Sequence, residues 1–173
     1  VQRAGGIYRG YIKMIKIDEQ GLKLCKIQAE VFEASFSKEE CSSLIFMRRF
    51  MNSQVAQRMD AGGFLFEACD VNQIIEEIDT EFGSSSYGSE QYTENELYWI
   101  GYIYRYWAYT YQKTSKQIYR VIKPKELRSL YYPYHSLDPA QAIERILEAR
   151  GVSEDNLTAR GVKLMRELIA NEH

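Results

Sequence analysis

One histidine stands in a segment whose composition could support nucleophilic chemistry. His135 lies in YYPYHSLDP, and the other histidine, His173, is the last residue printed. A Ser-His-Asp or Cys-His arrangement would therefore have to use His135 as its general base. Because this segment leads into a helix start at Asp138, a structural or interface role for His135 is the interpretation that we favour.

Other signatures of catalysis or cofactor binding do not occur in the sequence. Glu76 and Glu77 are neighbours on a predicted helix and point in different directions, which does not suit a general acid/base pair. No phosphate-binding loop, dinucleotide fingerprint, zinc-protease motif or Cys/His metal cluster is present. We therefore expect no enzymatic activity, no cofactor and no metal.

Three cysteines and the absence of a long apolar run indicate a location. Cys25, Cys41 and Cys69 are odd in number and lack metal-type spacing, which favours reduced thiols. No stretch of about 18 uncharged apolar residues predicts a membrane span. We expect a cytoplasmic protein.

Repeated helix-start signals predict the fold class. A capping residue followed three positions later by Glu or Gln satisfies free backbone N–H groups in the first turn of a helix. Five pairs fit this spacing: Ser37 with Glu40, Asp70 with Gln73, Thr93 with Glu96, Thr114 with Gln117, and Asp138 with Gln141. We predict an all-α fold, a compact bundle of about six to seven helices around a central aromatic helix at about 94–112.

The same patterns predict the organisation of the chain. One helical domain is expected over 14–150, with a polar loop near 83–92. Residues 1–13 are basic and glycine-rich and read as a flexible arm or as translated upstream sequence. The amphipathic segment 151–173 predicts a C-terminal helix that docks on the body or on another chain, and 61–68 predicts a loop or short strand.

The aromatic helix is the most distinctive element. Residues 96–112 read ELYWIGYIYRYWAYTYQ, too long without Gly-Pro punctuation for an ordinary strand. Buried tyrosine hydroxyls make a membrane span unfavourable. Three interpretations remain: a central core helix, a protein-binding face, or a stacking platform for single-stranded nucleic acid. The spacing makes a protein-binding stripe of four residues: Tyr98, Tyr102, Arg105 and Tyr109.

Charges are segregated along the chain. The segment 60–104 holds ten acidic residues and no Lys or Arg. These acids either pair with basic segments inside the fold or form a surface that attracts a basic partner. For the second interpretation, the candidate electrostatic residues are Glu76, Glu77, Asp79 and Glu81.

A basic segment follows and predicts a different partner. TSKQIYRVIKPKELRSLYY reads as two short helices separated at Lys123-Pro124, similar to a helix-turn-helix but without the usual turn glycine. Nucleic-acid contact through this segment would use Lys116, Arg120, Lys123, Lys125 and Arg128.

One run of residues resembles a known group of proteins. The run 96–148, with its aromatic helix followed by SKQIY, KPKEL and YYPYHSLD, resembles small helical antitoxin-like proteins of bacteria and phages, encoded beside ADP-ribosyltransferase-like toxins. The segment 42–60 also resembles their N-terminal part. The resemblance implies that Tyr134, His135 and Asp138 form a recurring loop.

The resemblance and the charges lead to two functional expectations. The first is an antitoxin that binds and neutralises a cognate toxin through an aromatic and acidic surface that includes Tyr134 and His135. The alternative is a DNA-binding regulator of its own operon.

Overall fold

Eight helices and a short hairpin make up the part of the chain that the computed structural model describes, residues 7–9, 12–62 and 70–151. The predicted all-α class is therefore confirmed, apart from the hairpin. The helices are α1 (Glu19–Lys38), α2 (Ser43–Met51), α3 (Gln54–Asp60), α4 (Val71–Phe82), α5 (Glu94–Thr110), α6 (Ser115–Val121), α7 (Pro124–Tyr134) and α8 (Pro139–Ala149).

The helix count exceeds the predicted six to seven. The element that the patterns did not predict is α3, seven residues long, which begins after the expected break at Asn52-Ser53. The Ser53 side chain accepts a hydrogen bond from the Ala56 amide and caps this helix. A short polar connection thus separates two helices where one long amphipathic helix would otherwise continue.

A two-stranded hairpin precedes the helices. Its strands, β1 (Ile7–Arg9) and β2 (Ile12–Met14), pair antiparallel. The chain leaving β2 is tied to the body where the Ile15 amide donates to the Thr110 carbonyl over 2.8 Å. The exit of the hairpin is therefore placed at the C-terminal end of α5.

Four predicted helix starts are confirmed. Thr93 and Thr114 each form a complete capping box, in which the side chain at the third helical position also returns to the cap amide. Asp70 and Asp138 cap α4 and α8 with a carboxylate oxygen that accepts from a backbone amide. These signals are local, so their geometry follows directly from the sequence.

The predicted start at Ser37 is wrong. Helix α1 runs through this position to Lys38, and the Ser37 hydroxyl donates back to the Ala34 carbonyl inside the helix. Serine can make this backward bond as readily as a cap. The next helix begins at Ser43 instead, with Ser42 as its cap.

Helix α5 is the centre of the fold. It packs lengthwise against α1 and also contacts α6, α7 and α8. The two long helices approach closely at Gly101, where a Cβ atom would lie 2.8 Å from the Phe32 ring and 3.0 Å from the Gln28 carbonyl. Gln28 also donates from Nε2 to the Gly101 carbonyl over 3.0 Å. The α1–α5 pair is therefore the scaffold on which the other helices are placed.

The connection between α4 and α5 is irregular, as predicted for 83–92, and is held against α2. Its carbonyls at Tyr87 and Glu90 accept from the Ser42 and Ser43 amides at 2.9 and 3.0 Å. Tyr92, at its end, is buried. The loop therefore supplies partners for the N-terminus of α2.

Two predictions fall on residues that the structure does not describe. These are most of the predicted loop or strand at 61–68 and the C-terminal helix at 151–173. Within the described residues, no helix has the length and apolar character needed to cross a bilayer.

Candidate functional site

A surface pocket opens where α1, α5 and α7 meet. It encloses about 390 Å³, and α5 contributes four of its side chains. Its walls are Glu33, Asn95, Tyr98, Trp99, Tyr102, Tyr131 and His135. We call this the aromatic pocket.

One wall is a ladder of tyrosines on α5. Tyr98, Tyr102 and Tyr106 follow each other at intervals of four residues, so their side chains lie on the same face. Neighbouring ring centroids are 6.4 Å apart, with the planes inclined by 24° and 25°. Tyr98 and Tyr102 are partly exposed, whereas Tyr106 is buried. The first two rungs of the ladder are thus open to a ligand.

The pocket is also lined by a second stacked pair, at the C-terminal end of α7. The rings of Tyr131 and His135 are nearly parallel, with centroids 4.3 Å apart, and Trp99 meets Tyr131 edge to face. His135 Nδ1 lies 2.7 Å from the Tyr131 carbonyl oxygen. A carbonyl only accepts, so Nδ1 carries a hydrogen, and Nε2 of the neutral ring is free to accept.

The electrostatic character of the pocket is negative and neutral. Among the described residues that line it, Glu33 is the one carboxylate, and it has no ion-pair partner in the described part of the chain. Burial raises the pKa of Tyr102 to about 12. Burial also raises the pKa of Tyr98, and the charges of Glu30 and Glu33 raise it further. Both tyrosines are therefore neutral at physiological pH.

The structure separates the four predicted anchors into two groups. Tyr98 and Tyr102 line the aromatic pocket, but Tyr109 turns to α1, where its hydroxyl donates to Asp18 over 2.7 Å. Arg105 is only 2% exposed, so it is not available on the surface as predicted. The stripe expected to face a partner is thus interrupted at Arg105, which is buried, and Tyr109 is held by Asp18.

Arg105 is held inside the protein by polar groups from three other elements. Its Nη1 donates to Asp60 over 2.6 Å, Nη2 to the Ser115 hydroxyl over 2.7 Å, and Nε to Gln28 over 2.8 Å. Asp60 also accepts from the Ser115 amide and hydroxyl. A buried charge is tolerated when it is paired and fully hydrogen-bonded, so Arg105 joins α1, α3, α5 and α6.

Three of the four predicted acidic residues meet in a shallow depression between α3 and α4. Glu76, Glu77 and Glu81 line this depression, which encloses about 640 Å³. Glu77 forms an exposed ion pair with Arg58, and Glu81 accepts from the Gln54 amide at the start of α3. Of the three, Glu76 has no side-chain partner among the described residues.

Asp79 lies apart from that depression and faces Glu39 at the end of α1. Burial, followed by the nearby charge of Asp79, raises the pKa of Glu39 to about 7. The Glu39 Oε2 atom also accepts a long contact, 3.8 Å, from the buried Cys41 thiol. Asp79 is half-buried beside Glu39 and lies apart from the other three predicted acidic residues.

The candidate nucleic-acid residues are also divided. Arg128 donates to Glu90 and Glu96 over 2.7 and 3.0 Å and covers the Tyr92 ring, so its charge is already neutralised. Lys123 lies over the Tyr119 ring at 4.1 Å. Burial and the charge of Arg120 lower the pKa of Lys123. Lys116 and Lys125 are exposed.

The predicted recurring loop contributes one residue to the pocket. His135 lines it, whereas Tyr134 is partly buried against the core. Sequence reasoning missed Trp99 and Tyr131. The spacing of four between Tyr131 and His135 repeats that of Tyr98 and Tyr102, so this second aromatic pair was detectable as a signal.

Metal-binding groups and cysteines were considered among the described residues. These residues contain no group of three or more His, Cys, Asp or Glu side chains placed to hold a metal ion. Cys25 and Cys41 are free, buried thiols. Comparison with protein-family models, with curated proteins and with solved structures found no match.

Proposed function

We propose that this chain is an antitoxin-like binding protein that acts in the cytoplasm without catalysis of its own and docks a toxin through the aromatic pocket. The observation that carries the proposal is the partly exposed Tyr98–Tyr102 pair, which lines one pocket together with the Tyr131–His135 pair. Neither the Tyr98 nor the Tyr102 hydroxyl has a hydrogen-bond partner among the described residues. These hydroxyls are therefore available to a partner.

The chemistry of the pocket suits a protein interface. Tyrosine and tryptophan are enriched at interface hot spots, because they bury a large area at a low cost in side-chain entropy. The walls stand on helices that pack against the core, so a ligand meets preformed geometry. Little ordering free energy is then lost on binding.

The acidic depression between α3 and α4 supplies the electrostatic part of the proposal. Glu76 is free to attract a basic partner, and Glu77 and Glu81 add negative charge beside it. Long-range attraction of this kind raises the association rate more than the affinity. A toxin whose cleft accommodates phosphates would present the complementary positive surface.

A pull-down tests the proposal directly. The tagged protein is co-expressed with the product of the adjoining gene and washed at low and at high salt. A stoichiometric complex that survives high salt is expected, because an aromatic interface depends little on ionic screening. Absence of a complex at both salt concentrations would contradict the proposal.

A matched pair of variants locates the interface. Replacing Tyr98 and Tyr102 together by Ala should abolish the complex. Tyr87→Ala should retain it, because Tyr87 is 76% exposed and its hydrogen bond with Ser42 is made by the backbone carbonyl. Equal retention by both proteins would remove the aromatic pocket from the interface.

Nucleic-acid binding is a second candidate function, favoured by one observation. Arg120 and Lys123 lie close enough for the charge of one to lower the pKa of the other, and neither has an ion-pair partner in the described part of the chain. A phosphate group placed there would relieve this repulsion. Affinity for promoter DNA that falls steeply with salt, and falls further in Lys123→Gln, would support this function.

A further inference from the structure

The aromatic pocket carries hydrogen-bond acceptors that nothing in the described structure satisfies. The Glu33 carboxylate and the Asn95 amide oxygen have no partner among the described residues, and His135 Nε2 is free because Nδ1 donates to Tyr131. The three groups come from α1, α5 and the end of α7. A ligand rich in N–H donors would meet acceptors on three sides.

The aromatic faces add a second preference. The face of an aromatic ring is electron-rich and attracts a cation placed over it. Tyr98, Tyr102 and Tyr131 all line the pocket, and His135 covers one face of the Tyr131 ring. No Lys or Arg lines the pocket in the described part of the chain, so nothing there opposes a positive charge.

We propose that the aromatic pocket binds an arginine side chain of the partner, with the guanidinium in contact with the tyrosine rings that line it. This inference rests on the proposed function, since it names the chemistry recognised at the same site. A guanidinium offers five N–H donors and no acceptor, and its plane stacks on aromatic rings. Glu33 supplies the countercharge.

Other occupants fit the pocket less well. A phosphate or carboxylate would face Glu33 with no cation to neutralise it. A leucine side chain would leave Glu33, Asn95 and His135 desolvated without donors, which is unfavourable. A lysine ammonium carries the charge but lacks the planar fork.

The test titrates the full chain with the peptide Ac-Gly-Arg-Gly-NH2 and observes the tryptophan indole N–H signals by NMR. Trp99 lines the pocket, so its signal reports binding there. Trp107 is 1% exposed and does not line the pocket, so its signal is the control for structural changes elsewhere. We expect a saturable shift of the Trp99 signal with an unchanged Trp107 signal. The same peptide with citrulline, a neutral isostere of arginine, should bind roughly fivefold more weakly or not at all.

Variants connect the signal to the pocket. Glu33→Gln changes a partly exposed side chain on α1, so we expect it to fold, and it should weaken arginine binding about threefold at low salt. Tyr102→Leu should weaken it further, and Tyr87→Ala should not change it. Equal binding of the arginine and citrulline peptides would overturn the proposal, as would an unchanged Trp99 signal. Tighter binding of the same peptide with lysine in place of arginine would also overturn it.

The two proposals fail in different ways. If the arginine peptide binds in the pocket but the adjoining gene product is not retained, the inference about the pocket holds and the antitoxin function does not. If the complex forms but Glu33→Gln and the citrulline substitution have no effect on peptide binding, the antitoxin function holds and arginine recognition is wrong.

Discussion

The two halves of one stripe on α5 behave differently, although the sequence places them on the same face. In the half that carries Arg105 and Tyr109, Arg105 is buried and both side chains donate to polar groups of other parts of the chain. In the half that carries Tyr98 and Tyr102, the rings line an open pocket and the hydroxyls remain without partners in the described structure. We call these the closed half and the open half.

The difference shows what separates a structural polar group from one available for binding. A buried polar group costs free energy unless it is hydrogen-bonded, so the closed half required Asp60, Gln28 and Ser115 to be in place. The open half contains no such set. Its polar atoms remain at the surface, where water satisfies them until a ligand arrives.

The largest expected effect comes from breaking the closed half. Arg105→Met leaves Asp60 without its ion-pair partner and should lower the free energy of unfolding by about 3–5 kcal/mol. Urea denaturation measures this change. The matched control is Arg58→Met, which breaks an exposed ion pair with Glu77 and should cost about 1 kcal/mol or less.

If Arg105→Met and Arg58→Met lost similar free energies of unfolding, the comparison of the two halves would fail. Burial of an ion pair would then not change its contribution to stability. The double variant Arg105→Met with Asp60→Asn should recover part of the loss, since it removes the uncompensated charge as well.

The next effect concerns Gly101, a point of close approach between α1 and α5 beside the open half. Gly101→Ala places a methyl group 2.8 Å from the Phe32 ring and 3.0 Å from the Gln28 carbonyl. We expect a loss of about 2–3 kcal/mol from overpacking, although alanine alone would favour the helix by roughly 1 kcal/mol. A stabilised variant in thermal denaturation would show that the helices can separate without cost.

A third experiment tests how two neighbouring carboxyl groups of like charge, Glu39 and Asp79, affect the pH dependence of stability. The pKa of Glu39 is raised to about 7 beside Asp79, from an ordinary value of 4.5, so the folded state binds the proton more tightly than the unfolded state. Between these two values the folded protein therefore loses stability as pH rises. We expect the protein to be about 1–2 kcal/mol less stable at pH 8 than at pH 5, after discounting for partial exposure.

Glu39→Gln should remove most of this pH dependence, because an amide can donate to Asp79 without ionising. Glu40→Gln, at the exposed neighbouring position, should leave it in place. Urea midpoints for the three proteins at pH 5 and pH 8 decide the matter. Parallel pH profiles for all three would contradict the assignment to Glu39.

The smallest effect compares two tyrosine hydroxyls on the same helix. The Tyr104 hydroxyl donates to the Ile122 carbonyl over 2.6 Å in the core, whereas the Tyr102 hydroxyl is free in the open half. Tyr104→Phe should cost about 1–2 kcal/mol, because it leaves a buried carbonyl unpaired. Tyr102→Phe should change the stability by less than about 0.5 kcal/mol. Equal losses of stability would mean that the Tyr102 hydroxyl, like that of Tyr104, makes a buried hydrogen bond.

The local parts of the fold were predictable from short patterns. Thr93 and Thr114 were recognisable as caps because the cap and its reciprocal side chain lie three residues apart. Ser37 shows the limit of this reasoning. Its side chain can bond either forward or backward, and in the structure it bonds backward to Ala34 inside α1.

The candidate site was predictable only in part, because its remaining members depend on distant contacts. Tyr98 and Tyr102 were identified from their spacing, but Arg105 on the same stripe is covered by Asp60, which lies 45 residues away in sequence. Glu33 was not identified, since nothing local places α1 beside α7.

The charge segregation illustrates the same limit. The sequence left open whether the acidic segment pairs internally or faces a partner. Asp60, Glu77, Glu90 and Glu96 pair with arginines outside that segment, so the internal interpretation applies to these four. Glu76 was distinguishable from them only once the helices were placed.

The close pairing of α1 with α5 also has a consequence for the rate at which the chain folds. Gln28 and Gly101 are bonded across 73 positions of sequence, and α2, α3 and α4 lie in the intervening chain. Contacts of such long separation form only after a large loop closes, which slows the search for the native state. Until that loop closes, α1 does not pack on the aromatic helix. The aromatic side chains of α5 are then exposed to solvent, and newly made chains are prone to aggregate through them.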